Sequence, residues 1–162
     1  MIERLHSTSH FSSESDFPPL IPILVGATDG QAERQFGKLL APYIADPTSV
    51  FILSSDFCHW GSRFRYTYYQ PPENGKPYSL RSGDKIPKSW PIHESIAVVD
   101  QECMDKCEEG SHDGWLEVLE RTGNTVCGRH PIGVFMAGVE VLSALEPGRS
   151  PNRSPHPDAQ VS

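Results

Sequence analysis

Two short apolar runs on either side of one amphipathic segment set the tightest limit on what this chain can become. Leu20-Ile21-Pro22-Ile23-Leu24-Val25 is too brief for a helix, and Pro22 resists one, so it reads as a buried strand closed by Gly26. Pro22 has no N–H, which leaves one side of that strand incompletely paired. Thr28 or Asp29 can then cap a helix, and Ala32, Phe36, Leu39, Leu40, Tyr43 and Ile44 recur at helical spacing as one apolar stripe. Asp46-Pro47 stops the helix, and Val50-Phe51-Ile52-Leu53 reads as a second strand. Strand, helix, strand is a βαβ unit with a right-handed crossover, so the expected class is α/β with parallel strands. Ligands in such sheets sit beyond the carboxyl ends of the strands, which places residues 26–29 and 54–60 at the functional edge.

The remainder reads as a loop and then helices. Residues 61–90 are irregular, with Arg63, Arg65, Tyr66, Tyr68 and Tyr69 ahead of a Pro/Gly-rich stretch. Pro91 opens a helix whose face carries Ile92, Ile96, Val99, Cys103 and Cys107. Trp115, Leu116 and Leu119 suggest a short helix ending near Gly123. Residues 131–145 form a strongly apolar helix, with Ile132, Phe135, Met136, Val139, Leu142 and Leu145 in register, expected to pack on the sheet. Two strands make a marginal sheet, so the sheet is expected to be incomplete in this chain.

Composition separates a domain from its flanks. Residues 147–162 are rich in proline and serine, and residues 1–17 are mostly polar, so neither buries enough surface to offset its ordering entropy. Both are expected to be disordered tails around a domain at 18–146. The formal net charge of −7 argues against nucleic acid or an anionic membrane as partner. No apolar stretch approaches the roughly 20 residues needed to span a bilayer. The opening residues lack the pattern of a secretory signal, so a cytoplasmic location is expected, with the four cysteines reduced.

Two clusters could carry chemistry. In Ser54-Ser55-Asp56-Phe57-Cys58-His59-Trp60-Gly61, Asp56 and His59 lie three residues apart, so a single turn can aim both at one site. Such a pair suits a divalent iron, copper or zinc ion, or a carboxylate-oriented general base. Cys58 could instead be an activated thiolate. The plainer alternative makes Asp56 a turn cap and Cys58 and His59 interior residues. The second cluster, Cys127-Gly128-Arg129-His130-Pro131-Ile132-Gly133, opens a helix. Arg129 could grip a carboxylate or phosphate there, and His130 could be a base or ligand; equally, Gly128, Arg129 and Pro131 could serve the turn alone. Cys103 and Cys107 read as small core residues. His93 and His112 read as exposed, and His6, His10 and His156 fall in the tails.

The run from Phe51 through Ser54-Ser55-Asp56-Phe57-Cys58-His59-Trp60-Gly61 to Tyr66 resembles the signature of the Memo family, mediators of receptor-driven cell motility. Ile21-Pro22-Ile23-Leu24-Val25-Gly26, Phe36-Gly37-Lys38-Leu39-Leu40 with Ala45-Asp46-Pro47, and Cys127-Gly128-Arg129-His130-Pro131-Ile132-Gly133 follow in the family's order. The resemblance implies an α/β fold like that of class III extradiol dioxygenases. It also implies a pocket for iron or copper that contains Asp56 and His59 as metal ligands, with Cys58, Trp60, Arg129 and His130 around it. It implies redox chemistry and a signalling role in cell motility and cytoskeletal control, with a protein partner. Further pocket residues are expected outside the matched blocks: two histidines upstream of Ile21 and a cysteine downstream of the Gly133 helix. The chain therefore reads as a truncated central segment with weakened metal binding. The alternative is a non-enzymatic module in which Trp60, Tyr66 and Arg129 engage a phosphotyrosine peptide.

Overall fold

The computed structural model describes residues 18–72 and 75–145. The tails expected at 1–17 and 147–162 lie outside the described residues, as do His6, His10 and His156. Among the described residues four α-helices dominate: α1 (Gly30–Ile44), α2 (Ile92–Glu109), α3 (His112–Thr122) and α4 (Arg129–Leu145). A two-stranded antiparallel ribbon lies between α1 and α2, formed by β1 (Tyr68–Tyr69) and β2 (Tyr78–Ser79) with Tyr69 opposite Tyr78. The molecule is thus a mixed helix and small-sheet structure, compatible with the α/β class.

The helices start and stop where local chemistry directs them. The Asp29 carboxylate accepts the Ala32 N–H at 2.8 Å and caps α1. Ser111 does the same for α3 through the Gly114 N–H at 3.1 Å. Gly110 (φ 69°) and Gly123 (φ 66°) end α2 and α3 in the left-handed conformation that glycine adopts without a Cβ clash.

The two expected parallel strands do not form. Residues 20–25 and 50–53 carry no strand pairing among the described residues, and Ile21, Leu24, Val50 and Ile52 stand largely exposed. A strand exists only when a neighbour takes up its N–H and C=O groups; no described segment pairs with either run, and 50–53 meets α4 only through side chains, the Phe51 ring 5.4 Å from that of Phe135. The apolar helix α4 accordingly packs on α1 rather than on a sheet.

That packing also turns α1 over. Half of the expected stripe turns outward: Phe36, Leu39 and Tyr43 are exposed, Ala32, Leu40 and Ile44 are half-buried, and Glu33, Gly37 and Ala41 form the fully buried face. Close approach is the cause. A Cβ on Gly37 would lie 2.6 Å from the Gly138 nitrogen and 2.8 Å from the Ala137 Cβ. The backbones therefore meet where side chains are missing, and bulky residues are left outside.

A second core joins α2, α3 and α4 through Cys103, Trp115, Val118, Leu119, Val126, Ile132 and Met136, with Phe57 and Cys107 packed against it. Trp115 is fully buried and donates its indole N–H to the Arg129 carbonyl at 3.1 Å. This contact pins the start of α4 to α3. Cys103 is a core residue, as its helical position foretells.

Gly37→Ala tests the α1–α4 contact. Alanine gains roughly 1 kcal/mol over glycine in a helix interior, whereas overpacking against a backbone costs about 1–3 kcal/mol. The clash is with main-chain atoms that have no rotamer to escape into, so a lower urea midpoint is expected. Gly26→Ala, with no atom within 4 Å of the added carbon, should leave the midpoint unchanged.

Candidate metal centre

Residues 54–60 hold their shape without belonging to a strand, because Ser55, Asp56 and His59 are hydrogen-bonded to residues 125–128. The Cys127 N–H donates to the Asp56 carbonyl at 3.1 Å, and the Asp56 N–H donates to the Cys127 Sγ at 3.1 Å. The Thr125 hydroxyl accepts the His59 N–H at 2.8 Å and donates to the His59 carbonyl at 2.9 Å. The Gly128 N–H donates to the Ser55 Oγ at 3.0 Å, and a Cβ on Gly128 would lie 2.4 Å from the Ser55 Cβ. Only glycine permits that approach.

A third strut comes from α2. The Asp100 carboxylate accepts the Cys58 N–H at 3.3 Å and the Asn124 amide at 2.8 Å, joining both segments to one helix. Charged acceptors make such bonds stronger than neutral ones.

This framework brings together three side chains. One ligand atom from each of Asp56, His59 and Cys127 lies within 4.8 Å of the others. His59 is half-buried, its ring 5.2 Å from that of Phe64, whereas Asp56 and Cys127 are exposed. The set offers a carboxylate oxygen, an imidazole nitrogen and a thiol sulfur. Imidazole and thiolate together suit iron, copper or zinc, and three protein ligands leave coordination positions open. The Asp56 N–H fixes the direction of the sulfur, as outer hydrogen bonds do in metal sites.

The other expected site residues divide differently. Cys58 is not part of the triad: burial, reinforced by the Asp100 charge, pushes its thiol up to about 12. It is therefore not an activated nucleophile. Trp60 donates its indole N–H to the Tyr68 carbonyl at 2.9 Å and anchors the ribbon. Arg129 is half-buried at the start of α4. His130 lies outside the triad, its Nδ1 3.0 Å from the Glu33 carboxylate.

One sequence reading needs correction. His112 is fully buried, its Nε2 2.8 Å from Glu33, because the charged residues beside it point outward from α3 while it faces α1. Sequence reasoning also missed a candidate donor: Cys127, just ahead of α4, joins Asp56 and His59. The signal was present in the Cys127-Gly128 turn, which only a close approach to another segment requires.

Comparison with known proteins bears on these residues. Residues 11–149 match the family model described as Memo-like protein. Protein MEMO1 of Danio rerio is 41% identical over 123 residues, covering 76% of this chain and 36% of that protein. Protein MEMO1 of Homo sapiens is 36% identical over 137 residues, covering 85% of this chain and 41% of its own length. A MEMO1 family protein of Schizosaccharomyces pombe is 40% identical over 132 residues, covering 78% and 42% respectively. The chain thus spans about two-fifths of the length of these relatives.

Thiol chemistry checks the placement of the cysteines. With its thiol near 12, Cys58 carries about one thiolate in 10⁴ at pH 8. Iodoacetamide should label exposed Cys127 first, leaving Cys58, Cys103 and Cys107 protected until the fold opens. The unfolded chain returns Cys58 to an ordinary value of 9.0, so its protonated form supports the fold fully below about 9 and that support is lost as pH climbs toward 12. Labelling of Cys58 should therefore appear on the alkaline side, as followed by peptide mass spectrometry.

Proposed function

The chain belongs to the Memo-like protein family, and on that premise we propose that Asp56, His59 and Cys127 bind one redox-active metal ion, iron or copper. The observation that carries this reading is the convergence of the three donor atoms within 4.8 Å, on segments that lie 71 residues apart in sequence. Neighbouring polar groups come together in many proteins, but this set pairs a soft sulfur with nitrogen and oxygen donors, and Asp56 and Cys127 are held by reciprocal hydrogen bonds, one to a carbonyl and one to the sulfur.

The residues have distinct tasks. Asp56 contributes the anionic oxygen, His59 the nitrogen and Cys127 the sulfur. Ser55, Thr125 and Asp100 keep the two segments in register and so hold the donors close to one another. The ion, when bound, supplies one-electron chemistry. Asp56 and Cys127 are exposed, so incoming ligands can reach the site directly.

A dioxygenase-like sheet, a signalling role in cell motility, a protein partner and a cytoplasmic location extend this proposal and rest on family membership. Among the described residues, no helix is long and apolar enough to cross a membrane. The phosphotyrosine-peptide reading is less favoured. It needs Trp60 and Tyr66 to be offered outward, yet the Trp60 indole N–H is committed to the Tyr68 carbonyl and Tyr66 is buried.

Metal titration of the purified chain tests the proposal. Copper or anaerobic ferrous iron, competed against a chelator, should bind the unaltered chain at a 1:1 ratio. His59→Ala and Cys127→Ser should each weaken binding by about tenfold or more, given that even outer-shell losses cost about 10–100-fold, while Cys58→Ser should leave it unchanged. Cys127→Ser should also abolish any copper–thiolate absorption band. Affinity should fall on acidification, because the donors bind only when deprotonated. Equal binding by all variants, or none by the unaltered chain, would refute the assignment.

A further inference from the structure

One buried polar cluster has no part in the metal centre. Glu33 of α1 is 2% exposed and sits between two histidines. Its Oε2 lies 2.8 Å from the Nε2 of fully buried His112, and its Oε1 lies 3.0 Å from the Nδ1 of His130. The Thr28 hydroxyl is 3.1 Å from both the Glu33 Oε1 and the His130 Nδ1. Room for the carboxylate is made by Gly133, where a Cβ would lie 2.4 Å from the Glu33 Oε2. Burying a carboxylate is costly unless donors surround it, and here three groups can donate.

The geometry restricts where the protons sit. The His112 Nδ1 is buried without a partner. A proton there would be an orphaned donor, so His112 carries its hydrogen on Nε2 and gives it to Glu33. The backbone N–H of His112 is separately taken by the Glu140 carboxylate at 2.7 Å. Arg34, the nearest cation in sequence, is paired with Asp113 at the surface. His130 is therefore the member of the cluster able to take up positive charge opposite Glu33. The Thr28 backbone N–H also points at the His130 Nδ1, at 3.4 Å, but the Glu33 carboxylate is the nearer partner, at 3.0 Å, and is an acceptor, so the geometry favours a hydrogen on Nδ1 and leaves Nε2 bare. The ring is 24% exposed, so a solvent molecule or ligand can reach its free edge.

We propose that His130 is a proton acceptor at the edge that carries the Cys127 turn, with Glu33 and His112 as positioning residues that hold it in the Nδ1–H tautomer. It would serve a water or hydroxylated ligand arriving at that edge. The ligand O–H bond breaks, an Nε2–H bond forms, and the buried carboxylate balances the resulting imidazolium. This arrangement is the familiar carboxylate-oriented imidazole, extended by a second histidine that satisfies the other carboxylate oxygen. The use of this edge by a ligand rests on the metal-binding proposal; the tautomer does not.

Metal-free, chelator-treated protein with ¹⁵N-labelled histidine separates the two. Long-range nitrogen–proton spectra in mildly alkaline buffer should show His130 protonated on Nδ1 and bare on Nε2, and His112 the reverse. In Glu33→Gln the His130 preference should be lost, and its modification by diethyl pyrocarbonate should slow measurably against the unaltered chain. His112 should resist the reagent. If Glu33→Gln does not fold, Thr28→Val keeps the carboxylate and should retain the Nδ1–H form. A wild-type His130 protonated mainly on Nε2, the same tautomer in Glu33→Gln, or its loss in Thr28→Val would each overturn the proposal. A chain that binds no metal yet shows these tautomers would refute only the metal assignment.

Discussion

The near contact of two helix backbones at Gly37 and Gly138 governs what the rest of the chain can do. With no side chain between them, α1 and α4 approach closely enough for Glu33 to reach across to Gly133 and His130. A larger residue at 37 would separate the helices and leave Glu33 a buried carboxylate without its partners, a far greater cost than the lost packing itself. The same approach fixes the start of α4, and with it the Cys127-Gly128 turn. Trp115 reinforces that position from the other side by binding the Arg129 carbonyl. The candidate site is thus set by helix packing more than by a sheet edge.

Helices were legible in the sequence because their information is local. Asp29, Gly110 and Gly123 announce starts and stops within a few residues of themselves, and the apolar spacing from Ile132 to Met136 requires only its own helix. Which face turned inward was not legible in α1. Hydrophobicity points to Phe36 and Leu39, whereas close packing selects Gly37 and Ala41, and that choice depends on glycine in a helix about a hundred residues away. The apolar runs at 20–25 and 50–53 have strand composition, but composition supplies no neighbour to pair with. Their side chains keep the apolar character that prompted the reading and display it outward.

The site was legible in part for the same reason. Asp56 and His59 are three residues apart, and a local turn suffices to bring them together. Cys127 joins them through bonds that no short window contains, and only the strictness of Gly128 marks the close approach. His112 was misread because its neighbours Asp113 and Glu117 are charged, as the solvent side of an amphipathic helix should be. A buried histidine on such a helix becomes credible only once its carboxylate partner is known. Polar residues in a core are identified by what they face, and Glu33 lies 79 residues from His112.

The two polar groupings differ in a way that bears on their roles. The Asp56–His59–Cys127 set has two exposed members, so water screens its charges and its donors depend on hydrogen bonds from outside the set to keep their places. The Glu33 cluster is dry except at His130, so its charge acts through a low dielectric and is felt strongly by the one ring that reaches solvent. An exposed donor set suits a ligand or ion that must come and go. A buried carboxylate behind a partly exposed imidazole suits a proton that must move in a set direction. Because α4 carries His130 three residues after Cys127, both arrangements hang on the same turn. A change that shifts the α1–α4 contact should therefore disturb the two together, whereas a change in the Thr125 or Ser55 bonds should reach the donor set and leave the buried carboxylate in place.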